Sequence, residues 1–384
     1  MIVYLSICLD YVKMKKFRRA IAALVVAELL CASHAWAGES FQILVPDAFV
    51  GTSGTMLYGV ADAGLQYSHA GSKEVLGMES GAGATSRFGF LGVEQLGGGL
   101  YVRFNLESAL KLTNGTAGST TAQNESTFFS REANISLISN DWGRIKMGRQ
   151  YPTELSLSLD PFYAVGAFSP YASLASLSLD LGTAATIGDS RISNAVAYMT
   201  PVIGGFQFEV MGAPRGVTTP GYPESYFQGA QLEYLNGPLY LGVFYDVIHT
   251  DPTAALPSVK NKWLGAGAMY DFGAVRLSYE FNMTVPDYAH YYVATTHMIG
   301  VNARQGTNDI KFSAVYRNVA GRSASNSLAL GLGYDYNLSK VTALYVRLGY
   351  VVNQKNAIAT LANGSLSQPG DDQSVVAIGI RKRF

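Results

Sequence analysis

Apolar and polar side chains alternate along most of this chain, and this pattern limits its fold more than any other feature. The stretch LYVRFNLESAL (100–110) places Leu100, Val102 and Phe104 at every second position, and AVRLSYEFNM (274–283) and NSLALGLGYDYN (326–337) alternate in the same way. Successive residues of a strand face opposite sides, so each segment has one apolar face and one polar or small face. The pattern predicts many amphipathic β-strands.

A soluble β-sandwich would show the same alternation, and composition helps to separate the two folds. Only 15% of the 384 residues are charged, whereas 24 are Tyr, 18 are Phe and 41 are Gly, which suits a protein half immersed in lipid. No run of about 18 apolar residues follows the N-terminal region, which excludes transmembrane helices there. A closed β-barrel is then the remaining way to satisfy backbone hydrogen bonds within a bilayer.

Aromatic residues and connection lengths support the barrel. Tyr58, Tyr270 and Phe384 are among many rings near strand ends, as in the two aromatic girdles of outer-membrane barrels. Short turns such as LGGG (96–99) alternate with long polar loops, another property of such barrels. We place the long loops near 69–84, 111–126, 151–189, 214–225, 249–261, 284–292, 319–325 and 353–373.

The segments between these connections number sixteen and run from about residue 56 to residue 384. Most are near the roughly 9–11 residues that a tilted transmembrane strand requires. The sequence therefore predicts an all-β fold, a 16-stranded antiparallel transmembrane β-barrel with short periplasmic turns and long extracellular loops. We expect the last strand to pair with the first, which would keep Phe384 in ordered structure.

Residues 1–37 have the features of a secretory signal peptide. Basic residues precede the apolar stretch AIAALVVAELLCA, and Ala35-Trp36-Ala37 supplies a cleavage site of the small-x-small type. Met14 is an alternative start, directly before the basic residues. We expect a signal peptide at 1–37, an N-terminal extension of unknown role at 38–54 and the barrel at 55–384.

Removal of the signal peptide changes both cysteine content and charge. Both cysteines, Cys8 and Cys31, lie within it, so the mature chain is expected to form no disulfide. Residues 1–37 hold five of the 28 Lys/Arg and two of the 28 Asp/Glu, which leaves 23 basic and 26 acidic residues. A mature charge near −3 gives no reason to expect nucleic acid as a partner.

The sequence contains no signature of a catalytic or metal centre. It lacks a GxSxG elbow, an HExxH pair, a P-loop and a GxGxxG turn before a helix. The four histidines after residue 37, at positions 69, 249, 290 and 297, have no spacing typical of a metal site. We therefore expect no catalytic residues, no metal and no cofactor, and hence no enzyme.

Charged residues on the polar strand faces are expected to line a lumen, because a barrel of sixteen strands leaves an aqueous channel. The lumen-lining candidates are Arg103, Glu107, Arg276, Glu280, Arg347 and Arg381.

The loop at 151–189 is the longest and contains no Lys or Arg. It is rich in Leu and Phe, which argues against disorder. We expect it to fold inward onto the barrel wall and narrow the channel; the alternative is contact with a neighbouring subunit. Its acidic residues are Glu154, Asp160, Asp180 and Asp189.

Several motifs in order resemble those of one known family. These are TMLYGVADAGLQY, SRFGFLGVEQLGGGL with FNLESAL, DWGRIKMGRQY, ISNAVAYMTPVIGGFQF, LGLGYDYNLSKVTALYVRLGY and the terminal AIGIRKRF, which together span about residues 55–384. They resemble the trimeric general-diffusion porins of Gram-negative outer membranes, especially the β-proteobacterial branch.

The resemblance implies that the third loop sets a constriction, with wall arginines facing acids on that loop. Arg87 in SRFG, Arg149 in GRQY and Arg191 in SRIS fall at the matching positions. It also implies a homotrimer and a C-terminal assembly signal at Phe384, read by the barrel-insertion machinery. The acidic PEF-type motif of the constriction loop is not recognisable, and Leu91 stands where relatives often have a basic residue.

The resulting hypothesis is a passive outer-membrane channel for ions and small hydrophilic solutes, in contact with membrane lipid and lipopolysaccharide. An alternative is a substrate-preferring channel with a narrowed third loop, which a single solute would block at low concentration. An outer-membrane enzyme or an adhesin is a hypothesis of another class. An enzyme would need a Ser/His/Asn-like group on the wall, and an adhesin would show no steady conductance.

Overall fold

The computed structural model describes residues 53–120, 126–153, 159–163, 168–183, 185–186, 191–215, 225–250, 258–287, 291–362 and 364–384. The expected signal peptide and all but the end of the expected extension at 38–54 lie outside the described residues. Within these ranges no helix is long and apolar enough to cross a membrane. One short helix, α1, spans Pro170–Ala175 and begins after Ser169, whose hydroxyl accepts a hydrogen bond from the Ala172 amide.

Strands make up most of the described chain. The first nine are β1 Gly54–Ala70, β2 Lys73–Ser80, β3 Arg87–Gly97, β4 Leu100–Ala109, β5 Ser119–Thr120, β6 Ser126–Thr127, β7 Glu132–Ser139, β8 Gly143–Gln150 and β9 Ile192–Met199. The others are β10 Phe206–Pro214, β11 Ser225–Asn236, β12 Leu239–His249, β13 Lys260–Asp271, β14 Val275–Asp287, β15 Val293–Gln305, β16 Asn308–Ala320, β17 Ser327–Asn337, β18 Thr342–Asn353 and β19 Gln373–Arg383.

These strands close into one antiparallel barrel, apart from the small β5–β6 pair in a loop. Strand β1 pairs with β19 along one edge. Along its other edge, residues 54–60 pair with β3 and residues 63–70 pair with β2, so β2 and β3 together occupy one position in the barrel. The predicted closed barrel of sixteen antiparallel strand positions is confirmed.

The predicted loop at 69–84 is wrong in its middle. Residues 73–80 form β2 because their backbone groups pair with residues 63–70 of β1. Ser72, Lys73 and Glu74 are residue types common in loops, which explains the prediction of a loop here. The chain then leaves the wall at 81–86, where the Asp62 carboxylate accepts hydrogen bonds from the amides of Gly83 (3.3 Å) and Ala84 (2.9 Å).

Other strand boundaries also differ from the prediction. Strand β14 continues to Asp287, four residues into the predicted loop at 284–292, and β7 begins at Glu132 rather than near 127. The extension of β14 keeps the alternation with polar side chains such as Thr284, and a sequence-based boundary reads such residues as loop.

Alternation sorts the side chains as predicted. Leu, Val, Ile and Tyr side chains cover the outer wall, for example Leu241, Val243 and Tyr245 on β12. Polar side chains of the same strands face the interior. Much of the interior along β13–β19 is occupied by chain segments between strands, with Phe168, Leu174 and Leu181 of loop 3 (residues 151–189) buried to 1% or less. The prediction that loop 3 folds inward onto the wall is confirmed.

Candidate functional site in the channel lumen

Loop 3 packs into a groove of inward-facing glycines on β13, β15, β17 and β18. Leu159 lies over Gly267, and the Pro161 ring is 2.7 Å from where a Cβ of Gly300 would be. Further along, Phe162 covers Gly331 and Gly333, and Phe168 covers Gly349. Any side chain at these positions would collide with the loop, so the glycines allow it to lie close to the wall.

Polar contacts fix the loop on the same wall. Arg317 on β16 donates to both carboxylate oxygens of Asp180, each at 2.7 Å. The Tyr171 hydroxyl donates to Glu280 on β14 at 2.7 Å. Arg317 and Asp180 are almost fully buried. Removal of either side chain would leave the other as a buried charge without a counter-ion, which is strongly destabilising.

The structure therefore places the described acids of loop 3 away from the predicted arginines. Asp180 pairs with Arg317, and Asp160 accepts hydrogen bonds inside the loop from the Phe162 amide (3.1 Å) and the Ser169 hydroxyl (2.5 Å). Glu154 and Asp189 lie outside the described residues.

A cationic cluster stands on the wall formed by β3, β4 and β7 and the segments beside them. Glu107 on β4 binds Arg131 through Nε at 2.5 Å and Arg87 through Nε at 3.3 Å. Tyr151, at the start of loop 3, accepts a hydrogen bond from Arg131 Nη2 at 2.7 Å. The guanidinium of Arg191 lies 3.6 Å from the centre of the same tyrosine ring.

We call Arg87, Arg131 and Arg191, with Glu107 and Tyr151, the neck cluster. Arg191 is buried, and its guanidinium stays charged. One carboxylate cannot neutralise three guanidinium groups, so the cluster itself carries a positive charge. Glu132 lies near it and receives a hydrogen bond from Asn134 at 2.9 Å.

Sequence reasoning included Arg149 in this cluster and missed Arg131. Arg149 pairs in register with Ala133, whose side chain does not face the lumen, and its guanidinium donates to the Ser130 carbonyl (2.7 Å) and the Ser193 hydroxyl (2.8 Å). Arg131 begins the alternating stretch REANISLIS, and this start of a strand beside a loop was the available signal.

More cations lie on the same wall, nearer the short turns. Arg103 on β4 interacts electrostatically with Arg144 on β8 and with Glu132. Lys146, two positions along β8 from Arg144, interacts with Glu132 and with Glu209 on β10. With the neck cluster, this wall carries six cations, Arg87, Arg103, Arg131, Arg144, Lys146 and Arg191, and three neighbouring carboxylates, Glu107, Glu132 and Glu209.

Other predicted lumen residues belong to ion pairs elsewhere on the barrel wall. Asp335 on β17 binds Arg347 at 2.5 Å, Arg381 at 3.1 Å and Lys311 at 3.5 Å. The Arg347 guanidinium lies 5.9 Å from the ring of Phe162. Arg276 pairs with Asp271 at 2.8 Å, near a short turn. These residues face inward, and the Asp335 network supports the loop from below.

Among the described residues, no group of three or more His, Cys, Asp or Glu side chains could hold a metal ion. What the lumen offers chemically is a set of fixed charges on its wall.

Comparison with known proteins identifies relatives of the whole barrel. A family model described as Gram-negative porin matches residues 20–356. The chain is 28% identical over 350 residues to outer membrane porin protein 32 of Delftia acidovorans, which covers 88% of this chain and 96% of the relative. It is 27% identical over 386 residues to an outer membrane porin protein of Bordetella pertussis, covering 85% of this chain and 94% of that relative.

A solved structure agrees with these sequence relatives. The anion-selective porin from Comamonas acidovorans superposes with a TM-score of 0.76 at 28% identity, covering 86% of this chain and all of that one.

Proposed function

Because the chain belongs to the Gram-negative porin family, we propose that its neck cluster makes it a porin with a preference for anions. The protein is a multi-pass outer-membrane porin of a Gram-negative bacterium. It forms a water-filled channel for passive diffusion, and the lumen charges then decide which small solutes enter most readily.

The observation that carries the anion preference is the excess of cations on one wall of the lumen. Six cations lie near three carboxylates there, whereas Asp160 is hydrogen-bonded within loop 3 and Asp180 is paired with Arg317 on β16. Screening is weak where few mobile ions fit, so fixed charges bias ion entry strongly at a narrow neck. The relative from Comamonas acidovorans is described as anion-selective, which supports the same preference here.

The test is single-channel current in a planar bilayer under a tenfold KCl gradient. We expect large ohmic current steps and a reversal potential whose sign corresponds to preferential permeation of chloride. A reversal potential of the opposite sign, which corresponds to preferential permeation of potassium, would refute the anion preference. The assignment of the chain as a porin channel would still hold.

A substrate-preferring channel is the second candidate, favoured by the Leu-rich packing of loop 3 in the lumen. Block of the ion current by one solute at low concentration would support it. An ion current that no added solute blocks at low concentration would support general diffusion instead. Either result describes a channel, and we propose no catalytic activity.

We further propose a homotrimer inserted by the barrel-assembly machinery, with Phe384 as part of the recognised signal. The trimer is supported by the resemblance to trimeric porins, and current steps in groups of three would test it. Phe384 joins the seam of the barrel through reciprocal backbone hydrogen bonds with Gly59 at 2.9 and 3.1 Å.

Lipopolysaccharide is a proposed partner with a specific place on the outer wall. Lys260 and Lys262 at the long-loop end of β13 point outward, since Asn261 and Trp263 between and beside them are buried on the inner face. Lys262 binds Asp287 at 3.0 Å, which leaves one net positive charge among the three side chains. Positive charges at the long-loop end of the strands lie near the phosphate groups of the lipid in the outer leaflet and attract them.

A further inference from the structure

The loop between β18 and β19 enters the lumen, as loop 3 does. Residues 357–362 of this loop 8, AIATLA, carry no charge, and we call them the loop-8 lobe. Ala357, Ala359, Leu361 and Ala362 are each buried to 2% or less. For a loop at the mouth of a channel, such burial requires that it lies against other parts of the protein.

The loop-8 lobe and loop 3 meet over one inward-facing glycine. Leu361 Cδ1 is 2.7 Å from where a Cβ of Gly349 would be, and the Phe168 ring approaches the same point to 3.2 Å. Gly349 faces inward because its neighbours Leu348 and Tyr350 on β18 are exposed on the outer wall. The lobe therefore occupies lumen space beside loop 3.

Hydrogen bonds from the inner wall hold the loop-8 lobe in place. Gln373 on β19 accepts from the Leu361 amide at 2.7 Å and donates to its carbonyl at 3.3 Å. Gln66 on β1 donates to the Ala362 carbonyl at 3.3 Å, and Asn353 donates to the Ala359 carbonyl at 2.9 Å. The contacts come from β18, β19 and β1, so the lobe spans the seam of the barrel on its inner side.

The outer part of loop 8 is tied to the β1–β2 hairpin. The Ser367 hydroxyl accepts from the Ser72 amide at 2.7 Å, lies 3.0 Å from the Ser72 hydroxyl and donates to the Ala70 carbonyl at 2.9 Å. Lys73 Nζ donates to the Leu366 carbonyl at 2.6 Å. Ser367 thus joins three hydrogen bonds, which we call the hairpin tether.

We propose that the loop-8 lobe is a second constriction element, held by the hairpin tether, which limits solute size together with loop 3. The lobe is uncharged and the neck cluster lies on other strands, so the two features control different properties. The lobe limits the size of a solute, and the neck cluster biases its charge. The proposal rests on the open channel of the porin and does not depend on anion preference.

The test measures entry of neutral sugars of increasing size into liposomes that contain the protein. Leu361→Ser removes the packing over Gly349, and Ser367→Ala removes the hairpin tether. For both variants we expect a severalfold faster entry of tri- and tetrasaccharides relative to a monosaccharide. The reversal potential in a KCl gradient should stay at the wild-type value, because no charge has changed.

A cysteine pair keeps the test decisive if either substitution prevents folding. The Ser72→Cys/Ser367→Cys variant places two thiols where two hydroxyls are 3.0 Å apart, within reach of a disulfide after small adjustment. The oxidised form should keep the wild-type size limit. Reduction should raise entry of the larger sugars, since thiols make weaker hydrogen bonds than hydroxyls.

Unchanged relative entry of large sugars in folded Leu361→Ser, and in both redox states of the cysteine variant, would overturn the proposal. A size change accompanied by an altered reversal potential would also overturn it, because loop 3 and the neck cluster would then have moved instead.

Discussion

Arg317 holds Asp180 by two hydrogen bonds of 2.7 Å, and this buried pair joins loop 3 to strand β16 across 137 positions of sequence. Replacement of Asp180 by Asn leaves the Arg317 charge buried without its counter-ion. Loss of one member of a buried pair costs about 3–5 kcal/mol. We expect a lower thermal unfolding temperature in detergent and noisier single-channel current as loop 3 loosens.

Two further variants show whether those effects arise from loss of the ion pair. Asp141→Asn changes an exposed acid in a short turn and should leave both measurements at the wild-type value. Asp180→Asn combined with Arg317→Gln removes both charges and should recover part of the lost stability. Equal damage in the single and double variants would contradict the role given to the ion pair.

Arg131→Gln tests the charge of the neck cluster. A unit charge about 4 Å from an ion is worth about 1 kcal/mol even in bulk water, or about fivefold in relative permeability. We therefore expect the ratio of chloride to potassium permeability to fall by up to that factor, measured from the reversal potential. Lys340→Gln removes an equal charge from an exposed turn and should have no effect. A ratio unchanged by Arg131→Gln would exclude this residue from the selectivity of the channel.

Tyr151 contacts two arginines of the neck cluster, Arg131 through its hydroxyl and Arg191 through its ring. Two variants distinguish these two contacts. Tyr151→Phe removes the hydroxyl that accepts from Arg131, a hydrogen bond to a charged donor worth about 1.5–3 kcal/mol, but keeps the ring under Arg191. Tyr151→Leu also removes the ring contact, worth about 0.5–2 kcal/mol. Open-channel noise should rise in the order wild type, Phe, Leu. Identical noise in the Phe and Leu variants would mean that the ring does not restrain Arg191.

Phe384→Ser tests the seam of the barrel. The Phe384 ring lies against the backbone of Gly59 on β1, so the substitution weakens the closing pair and the proposed assembly signal together. We expect severalfold less protein in the outer membrane and unchanged conductance of the molecules that assemble. Phe272→Ser, at an exposed ring in a short turn, is the control. Wild-type membrane levels of the Phe384 variant would reject both roles.

Lys260→Ala/Lys262→Ala tests the proposed lipopolysaccharide contact. Each lysine near an anionic membrane surface contributes about 1 kcal/mol, so the double variant should retain less lipopolysaccharide through purification. It should also gain less thermal stability when lipopolysaccharide is added back. The double variant should keep wild-type conductance, because both side chains point away from the lumen. Full retention of lipopolysaccharide would remove this site from consideration.

The barrel could be predicted from sequence because alternation is a local property. Each strand such as 274–283 shows its two faces without reference to any partner, and closure follows because a bilayer supplies no water to hydrogen-bond the edges of an open sheet. The segment at 73–80 escaped this reasoning, since its pairing with β1 involves backbone groups that any sequence supplies.

The candidate site was harder to predict because its contacts join distant positions. Arg131 acquires its role from Glu107, 24 positions earlier, and Asp180 from a residue 137 positions later. The loop-8 lobe was included in a loop expected to be polar, although AIATLA is apolar. Its burial depends on Gly349 and Phe168, which alternation alone cannot bring together.

The pairing of Gly59 with Phe384 also has a consequence for biogenesis. The partners are 325 positions apart in sequence, so the pairing of β1 with β19, which closes the sheet, is the most non-local strand pairing among the described residues. Contacts of this kind form slowly because a long chain segment must be ordered first. Until then β1 and β19 each present an open edge that invites aggregation. Periplasmic holding factors that protect the exported chain should therefore matter most during this interval, before the barrel has closed.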